Sequence, residues 1–170
     1  MQRIAKFEKI SREQFSKDWI DTFGETSEEE LARIYNRIKL PRRATAESAG
    51  YDFFAPLHII LEPGKTIKVP TGIKVLMDRN WVLKCYPRSG QGFKYGLRLA
   101  NTTGVIDADY SESSNEGHIF CKLINDSAIG QTIDISEGTG FMQGIFTEYG
   151  ITIDDDVCEN RHGGFGSTGM

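Results

Sequence analysis

The sequence has no long apolar run and no excess of basic residues, and each absence excludes a class of partner. No uninterrupted apolar stretch approaches the roughly 20 residues that a membrane-spanning helix requires. The formal net charge is −4, so broad electrostatic attraction to nucleic acid or to anionic lipid is not expected. We therefore predict no nucleic-acid partner and no membrane partner, and an anionic ligand must be bound by local groups.

Cysteine is also scarce, and its spacing bears on the cellular compartment. The three cysteines, Cys85, Cys121 and Cys158, are odd in number and far apart, which is typical of reduced thiols rather than of a disulfide framework. No two of them have the spacing of a zinc knuckle. The first ten residues, MQRIAKFEKI, lack the apolar core of a signal peptide. These features predict a cytoplasmic protein.

Two capping boxes predict a pair of short helices within residues 11–38. Ser11 with Gln14 forms the first box, and Ser27 with Glu30 forms the second. Each box precedes apolar residues with helical spacing. These are Phe15, Trp19 and Phe23 in the first helix, and Leu31, Ile34, Tyr35 and Ile38 in the second.

From about residue 50, short apolar runs separated by turn sequences predict an all-β sandwich or barrel. EPGK, PTG and DRN are typical turn sequences, and they interrupt runs with strand-like composition. No alternation of strands with helices follows, so a Rossmann-like sheet is not expected. The predicted strands are 58–61, 66–69, 73–77, 81–86, 94–100, 118–124, 132–135 and 141–149.

Five stretches combine small residues with a polar or charged group. They are SAGYDFFA (48–55), YPRSGQG (86–92), NTTGVIDADY (101–110), GFMQGIF (140–146) and RHGGFGSTGM (161–170). In the second, Arg88 offers a fork of donors suited to phosphate oxygens, and Ser89 with nearby N–H groups adds to a concave anion site. Singly, each stretch can be a tight turn, a capped hairpin, an edge strand or a disordered tail. Their combination and order are less easily explained by chance.

In this order, the five stretches resemble the characteristic motifs of the trimeric dUTPases. They read AGYD, PRSG, GVIDADY, GFMQ and GGFGSTG, and the resemblance covers roughly residues 39–170. It implies an all-β fold, a jelly-roll-like or distorted β-barrel with an N-terminal helical insertion at 11–38. It also implies one β domain over 1–150, a C-terminal arm and glycine-rich lid over 151–170, and a homotrimer with active sites shared between subunits.

The resemblance implies hydrolysis of dUTP to dUMP and pyrophosphate, with Mg²⁺ and with in-line attack of water on the α-phosphorus. This reaction limits uracil in DNA and supplies dUMP for thymidylate synthesis. Asp107 corresponds to the catalytic group that orients and activates the water, since an ionised carboxylate can accept its proton. Asp52 corresponds to the residue that holds the metal through water, because Mg²⁺ keeps several waters and prefers substrate phosphates.

The same resemblance implies contacts to each part of the substrate. The hairpin that pairs with uracil as a base would comprises Asn101 and the backbone of Gly104, Val105, Ile106 and Asp107. Tyr110 packs beneath the deoxyribose and leaves no room for a 2′-hydroxyl. The phosphate contacts are Arg88, Ser89, Gly90 and Gln143. The lid contributes Arg161, Phe165 over the uracil ring, Gly166, Ser167 and Thr168.

The chain departs from the family pattern at three places. Arg161 lies one residue closer to Phe165 than is usual. Gly140 stands where the fourth motif often has an arginine. The usual Arg-Gly-Glu after Tyr110 is replaced by SESSNEG at 111–117, which predicts a longer polar loop.

Two other functions remain open from the sequence. A dCTP deaminase shares the fold but uses a glutamate on the base-side strand, whereas Glu112 and Glu116 lie in the polar loop. A nucleotide-binding regulatory module could instead use the N-terminal helices to hold a protein partner. The alternative interpretation is that the helices pack against the rest of the subunit or extend an edge of the trimer.

Overall fold

A computed structural model of the chain describes residues 2–159, and most of its regular structure is β. The strands are β1 (Ala5–Lys9), β2 (Arg42–Arg43), β3 (Tyr51–Phe54), β4 (Ile59–Leu61), β5 (Thr66–Pro70), β6 (Ile73–Met77), β7 (Trp81–Pro87), β8 (Leu97–Leu99), β9 (Gly104–Ile106), β10 (Phe120–Asn125), β11 (Ile133–Ile135) and β12 (Gly140–Glu148). The helices are α1 (Arg12–Phe23), α2 (Glu28–Arg37), α3 (Ser89–Tyr95) and a 3-10 helix (Ala108–Glu112).

The two N-terminal helices begin where the capping boxes predicted. Ser11 Oγ accepts a hydrogen bond from the Gln14 N–H at 3.1 Å, and Ser27 Oγ accepts one from the Glu30 N–H at 3.3 Å. These bonds satisfy backbone donors that have no partner inside the helix. α1 ends at Gly24, whose positive φ of 88° favours glycine.

The described strands form four sheets in which every pairing is antiparallel. The largest has the order β2-β3-β12-β7-β9, and a second has the order β5-β10-β8. β1 pairs with β6, and β11 pairs with β4. The nine-residue strand β12 lies between β3 and β7, so it connects parts of the chain that are far apart in sequence.

One predicted strand, 94–100, is wrong over its first half. Residues Ser89–Tyr95 form α3, and only Leu97–Leu99 form a strand. The reason is local: Gly96 ends the helix in the left-handed region, with φ of 68°. A Cβ at Gly96 would lie 2.9 Å from the Asp126 carbonyl oxygen. This close approach separates the helix from the strand, and the apolar pattern alone does not reveal it.

The N-terminal helices share one hydrophobic core with the sheets. Phe15 of α1 and Leu31 of α2 are 0% and 1% exposed, and they belong to the same buried cluster as Phe53 and Phe141. Burial of one such side chain stabilises the fold by roughly 2–3 kcal/mol. The helices therefore pack into the β domain. No helix among residues 2–159 is both long enough and apolar enough to cross a bilayer.

Candidate active site

Strand β12 brings the first, second and fourth motifs together. Its Gln143 is in register with Asp52 of β3 on one side and with Tyr86 of β7 on the other. Arg88 follows directly after β7. Three motifs that are separated along the chain thus become neighbours through the register of one sheet.

Within this cluster, Arg88 is held by two oxygen atoms. Its Nε lies 3.1 Å from Asp52 Oδ1, and its Nη1 donates to the Gly140 carbonyl oxygen at 3.3 Å. Gln143 Nε2 donates to the Pro87 carbonyl oxygen at 3.3 Å. The side chains of Arg88 and Asp52 are 40% and 18% exposed. The guanidinium is therefore oriented by the protein yet accessible to an anionic ligand.

Two glycines make room for these side chains. A Cβ at Gly50 would lie 2.7 Å from Gln143 Oε1, and a Cβ at Gly140 would lie 2.9 Å from Arg88 Nη1. Both distances are shorter than a Cβ tolerates, so a larger residue at either position would require the end of the Gln143 or the Arg88 side chain to move. Gly140 is the position where the sequence lacks the family's arginine. Here the missing side chain leaves space for Arg88, which bonds to the Gly140 carbonyl.

Ser89 and Gly90 lie in the first turn of α3, whereas the sequence predicted a tight turn that binds an anion. Arg88 is the N-cap residue, and its carbonyl oxygen accepts from the N–H groups of Gln91 and Gly92 at 3.0 and 2.9 Å. Ser89 and Gly90 are exposed. With Arg88 and other α3 residues they line a cavity of about 300 Å³.

The third motif contributes strand β9 and lines a mostly apolar cavity; β9 does not form a hairpin with the preceding strand β8, which pairs with β10 instead. β9 pairs with β7, with Gly104 opposite Cys85 and Val105 opposite Lys84. A Cβ at Gly104 would lie 3.1 Å from that of Cys85, so glycine allows this close pairing. A cavity of about 460 Å³ is lined by Asn101, Gly104 and Ile106 of this motif, together with residues of β5, β7, β8, β10 and β12.

Asp107 and Tyr110 follow strand β9 and differ sharply in exposure. Asp107 is exposed at the N-cap of the 3-10 helix and, with Asp109 and Arg79, lines a cavity of about 540 Å³. Tyr110 is only 4% exposed. Its hydroxyl donates to the His118 carbonyl oxygen at 2.9 Å. The Tyr110 ring is thus fixed, whereas the Asp107 carboxylate faces a cavity.

The segment after Tyr110 is more ordered than the expected polar loop. Ser113 and Gly117 are buried, and Glu116 Oε1 and Oε2 accept from Ser11 at the start of α1. His118 is also buried and lies 2.6 Å from Asp18 of α1. Sequence reasoning singled out neither Asp18 nor His118. Their separation of 100 residues gives no local signal.

The predicted lid and the predicted metal site differ in how far the structure describes them. The lid residues Arg161, Phe165, Gly166, Ser167 and Thr168 lie beyond the described range. For the metal, residues 2–159 contain no group of three or more His, Cys, Asp or Glu that could hold an ion. Asp52 lies beside Arg88, and its role of holding Mg²⁺ through water stays a prediction.

Comparison with known proteins gives a consistent set of matches. A family model described as dUTPase matches residues 36–169. Deoxyuridine 5'-triphosphate nucleotidohydrolase of Lactococcus lactis subsp. lactis is 40% identical over 135 residues, covering 78% of this chain and 89% of that protein. The protein of the same name from Tolumonas auensis is 37% identical over 144 residues, covering 81% and 92%.

Solved structures agree with these matches. The crystal structure of dUTPase from Streptococcus mutans has a TM-score of 0.62 and 34% identity, covering 88% of this chain and 98% of that one. A mutant dUTPase from phage phi11 of S. aureus, in which the coordination of a structural Mg(II) ion was described, has a TM-score of 0.64. At 19% identity, with 92% and 98% coverage, it bears on the fold alone. The expected fold class is confirmed.

Proposed function

This chain belongs to the dUTPase family, and we propose how its residues carry out the family reaction. It hydrolyses dUTP to dUMP and pyrophosphate, the activity that names its relatives at 40% and 37% identity. Such an activity limits uracil in DNA and supplies dUMP for thymidylate synthesis. The observation that carries the assignment is the family match over residues 36–169, in a chain whose β12 gathers Asp52, Arg88 and Gln143.

Asp107 orients and activates the water that attacks the α-phosphorus in line. Two features support this role: the Asp107 side chain is exposed, and it lines a cavity of about 540 Å³. In phosphoryl transfer the protein mainly positions the reactants and stabilises charge. A carboxylate can both orient the water and accept its proton.

Arg88, Ser89, Gly90 and Gln143 bind the phosphates. Arg88 supplies a charge-assisted fork of donors, and its bonds to Asp52 and the Gly140 carbonyl hold it in place before substrate arrives. Ser89 and Gly90 are exposed beside it. In the lid, Arg161, Gly166, Ser167 and Thr168 complete these contacts.

Asp52 would hold Mg²⁺ through water. The residues present fit this role, because a lone, partly exposed carboxylate stands beside the phosphate-binding arginine. Mg²⁺ keeps several waters and is usually held by one or two carboxylates plus substrate phosphates. When bound, the ion neutralises charge on the phosphate oxygens.

Selectivity comes from the third motif and the lid. Asn101 and the backbone of residues 104–107 pair with uracil, and a cytosine would leave buried polar groups unpaired. Tyr110 lies beneath the sugar and excludes a 2′-hydroxyl. Its hydrogen-bonded hydroxyl favours one position of the ring. In the lid, Phe165 stacks on the uracil.

The complete site is shared within a homotrimer. In one chain, Arg88 and Asp107 line separate cavities, whereas the reaction needs both at one triphosphate. Residues from neighbouring subunits would meet this need. The exposed side chains of Val105 and Phe93, at 56% and 93%, provide apolar surface that an interface could cover. We also place the trimer in the cytoplasm, with a β domain over 1–150 and an arm with lid over 151–170.

The competing functions are disfavoured by specific features. A deaminase needs a free glutamate on the base-side strand, but Glu116 accepts two hydrogen bonds from Ser11. A purely regulatory nucleotide-binding module has no use for a water-activating Asp107. A protein partner bound through the N-terminal helices remains compatible with catalysis.

The test is release of pyrophosphate from dUTP, dCTP, dTTP and UTP, with and without Mg²⁺. We expect rapid turnover of dUTP alone, and only with the metal. Release of ammonia from dCTP would instead identify a deaminase. Tight binding of dUTP without turnover would identify a regulatory module.

A further inference from the structure

We propose that Asp18 of α1 and His118 are positioning residues, which hold the segment carrying Asp107 and Tyr110 in its active geometry. The N-terminal helices then act as an internal brace for one half of the active site. The inference rests on the roles proposed above for Asp107 and Tyr110. Asp18 lies outside the stretch that the family model matches, residues 36–169.

His118 is buried, and both of its ring nitrogens are bonded. Nε2 accepts from the Gly72 N–H at 2.8 Å, and Nδ1 lies 2.6 Å from Asp18 Oδ2. A backbone N–H can only donate, so Nε2 carries no proton and the neutral ring has its proton on Nδ1. His118 therefore donates to Asp18, and the two bonds fix the orientation of the ring between α1 and the turn at Gly72.

His118 is joined directly to Tyr110. The His118 carbonyl oxygen accepts from the Tyr110 hydroxyl at 2.9 Å and from Asn115 Nδ2 at 3.3 Å. Asn115 Nδ2 also donates to the Tyr110 hydroxyl at 2.9 Å. A displacement of residue 118 would therefore displace the Tyr110 ring. Asp107 lies three residues before Tyr110, at the start of the 3-10 helix that contains Tyr110.

A second connection joins the same segment to the start of α1. Glu116 Oε2 accepts from the Ser11 N–H at 2.8 Å, and Oε1 accepts from Ser11 Oγ at 2.6 Å. These bonds lower the pKa of Glu116, first through the Ser11 hydroxyl and then through its N–H. Glu116 has φ of 59°, which is unusual for a residue other than glycine. Such a backbone persists only where surrounding contacts stabilise it, and Ser11 supplies them.

The helix that supplies both connections is itself well anchored. Phe15 and Trp19 of α1 are 0% and 5% exposed, and their ring centroids lie 5.4 Å apart. The Phe15 ring also lies 6.3 Å from the His118 ring. α1 is therefore a rigid support, and Asp18 transmits its position to His118.

The experiment compares Asp18→Ala with Asp18→Asn and with Asp21→Ala. Asp21 is a matched control, because it lies on the same helix and is exposed near Lys68, at 3.7 Å. Each variant is first confirmed as folded by circular dichroism at the assay temperature. kcat and KM are then measured for dUTP and for UTP.

For Asp18→Ala we expect kcat/KM for dUTP to fall by about 10- to 100-fold, because small misplacements of reacting groups are costly. The ratio of dUTP to UTP turnover should fall as well, since a displaced Tyr110 excludes the 2′-hydroxyl less well. Asp18→Asn keeps an acceptor for His118 and should recover most of the loss. Asp21→Ala should resemble the wild type.

A purely structural role for Asp18 would lower stability but leave the dUTP-to-UTP ratio of the folded enzyme unchanged, and this result would overturn the inference. If Asp18→Ala does not fold, the same dUTP-to-UTP ratio is measured for Glu116→Asn. Asparagine tolerates the positive φ at this position but is too short to reach Ser11. A reduced ratio in that variant supports the brace, and an unchanged ratio refutes it. Loss of turnover in Asp107→Asn tests the proposed role of Asp107 separately.

Discussion

The two halves of the candidate site within one chain are held in place in different ways. The phosphate-binding half, Asp52, Arg88 and Gln143, is built on neighbouring strands, and sheet register brings it together. The half that carries Asp107 and Tyr110 follows a short strand and depends on hydrogen bonds to segments elsewhere. The side-chain positions in the first half are therefore determined by glycines and by strand pairing. Those in the second half are determined by contacts with α1. Substitutions should affect the two halves through different mechanisms.

The largest effect is expected from Asp107→Asn. An amide cannot accept the proton of the attacking water, so turnover should fall by about 100- to 10,000-fold. Because the two side chains have nearly the same shape, the variant should still bind a non-hydrolysable dUTP analogue. Stopped assays of pyrophosphate release and calorimetric titration measure the two quantities. Near-wild-type turnover would show that another group activates the water.

The next largest effect is expected from deletion of residues 161–170. The lid that we propose would add ligand contacts rather than core, so kcat/KM for dUTP should fall by roughly 100-fold. The thermal unfolding temperature without ligand should stay close to that of the full chain. Unfolding on truncation would contradict the interpretation of this segment as a lid.

Gly50→Ala should cause a smaller loss through the phosphate-binding half. The new Cβ would lie 2.7 Å from Gln143 Oε1, so Gln143 must move away from Pro87. We expect a drop of about tenfold in kcat, with the dUTP-to-UTP ratio preserved. The matched control is Gly150→Ala, since no heavy atom of residues 2–159 lies within 4 Å of a Cβ there. A preserved kcat in Gly50→Ala would mean that the position of Gln143 is unimportant.

The smallest effect is a dependence of stability on pH that arises at His118. Burial lowers the pKa of His118, and the hydrogen bond to Asp18 opposes this only in part. The charged groups that influence it are Asp18, Lys68 and Glu116. For Asp18, burial raises the pKa, but hydrogen bonds from His118 and Gln14 outweigh it and lower the pKa overall. Asp18 therefore stays ionised between about pH 5.5 and 7.5, the range over which unfolding is measured.

The unfolded chain consequently binds a proton at residue 118 more readily than the folded protein does. The stabilisation is complete above the unfolded pKa of about 6.5 and is lost as the pH falls towards the lower folded pKa. Each tenfold difference in proton affinity between the two states contributes about 1.4 kcal/mol to the free energy of unfolding. Urea unfolding at about pH 7.5, 6.5 and 5.5, on either side of the unfolded pKa, measures this dependence.

The control for this pH dependence is His58→Gln. The His58 side chain is 52% exposed, whereas His118 is buried, so this variant removes a histidine but keeps the buried ring and should keep the wild-type change of stability with pH. A constant free energy of unfolding of the wild type over the same range would contradict the prediction.

The sequence predicted most of the fold because its local signals are strong. The capping serines placed both N-terminal helices, and strand β6 has the predicted bounds. The prediction of a strand at 94–100 was wrong over its first half. Two glycines within α3 and one at its end obscure a short helix in an apolar pattern. Alternating hydrophobicity identifies a strand but not its partner, so the place of β12 between β3 and β7 required the structure.

For the candidate site, the motifs predicted the residues but not the contacts that hold them. Gly50 and Gly140 are informative only once the Gln143 and Arg88 side chains are seen beside them. The contact between Asp18 and His118 joins positions 100 residues apart. No spacing rule predicts such a pair, and the segment between Tyr110 and His118 looked like an ordinary polar loop.

The most direct test of the account is complementation between two inactive variants. Arg88→Ala removes one half of the site, and Asp107→Asn removes the other. If neighbouring subunits supply the two halves, trimers refolded from an equal mixture should contain intact sites in about one quarter of positions. We therefore predict pyrophosphate release from dUTP at about a quarter of the wild-type rate, far above that of either variant alone. Activity no higher than the sum of the separate variants would contradict a site shared between subunits.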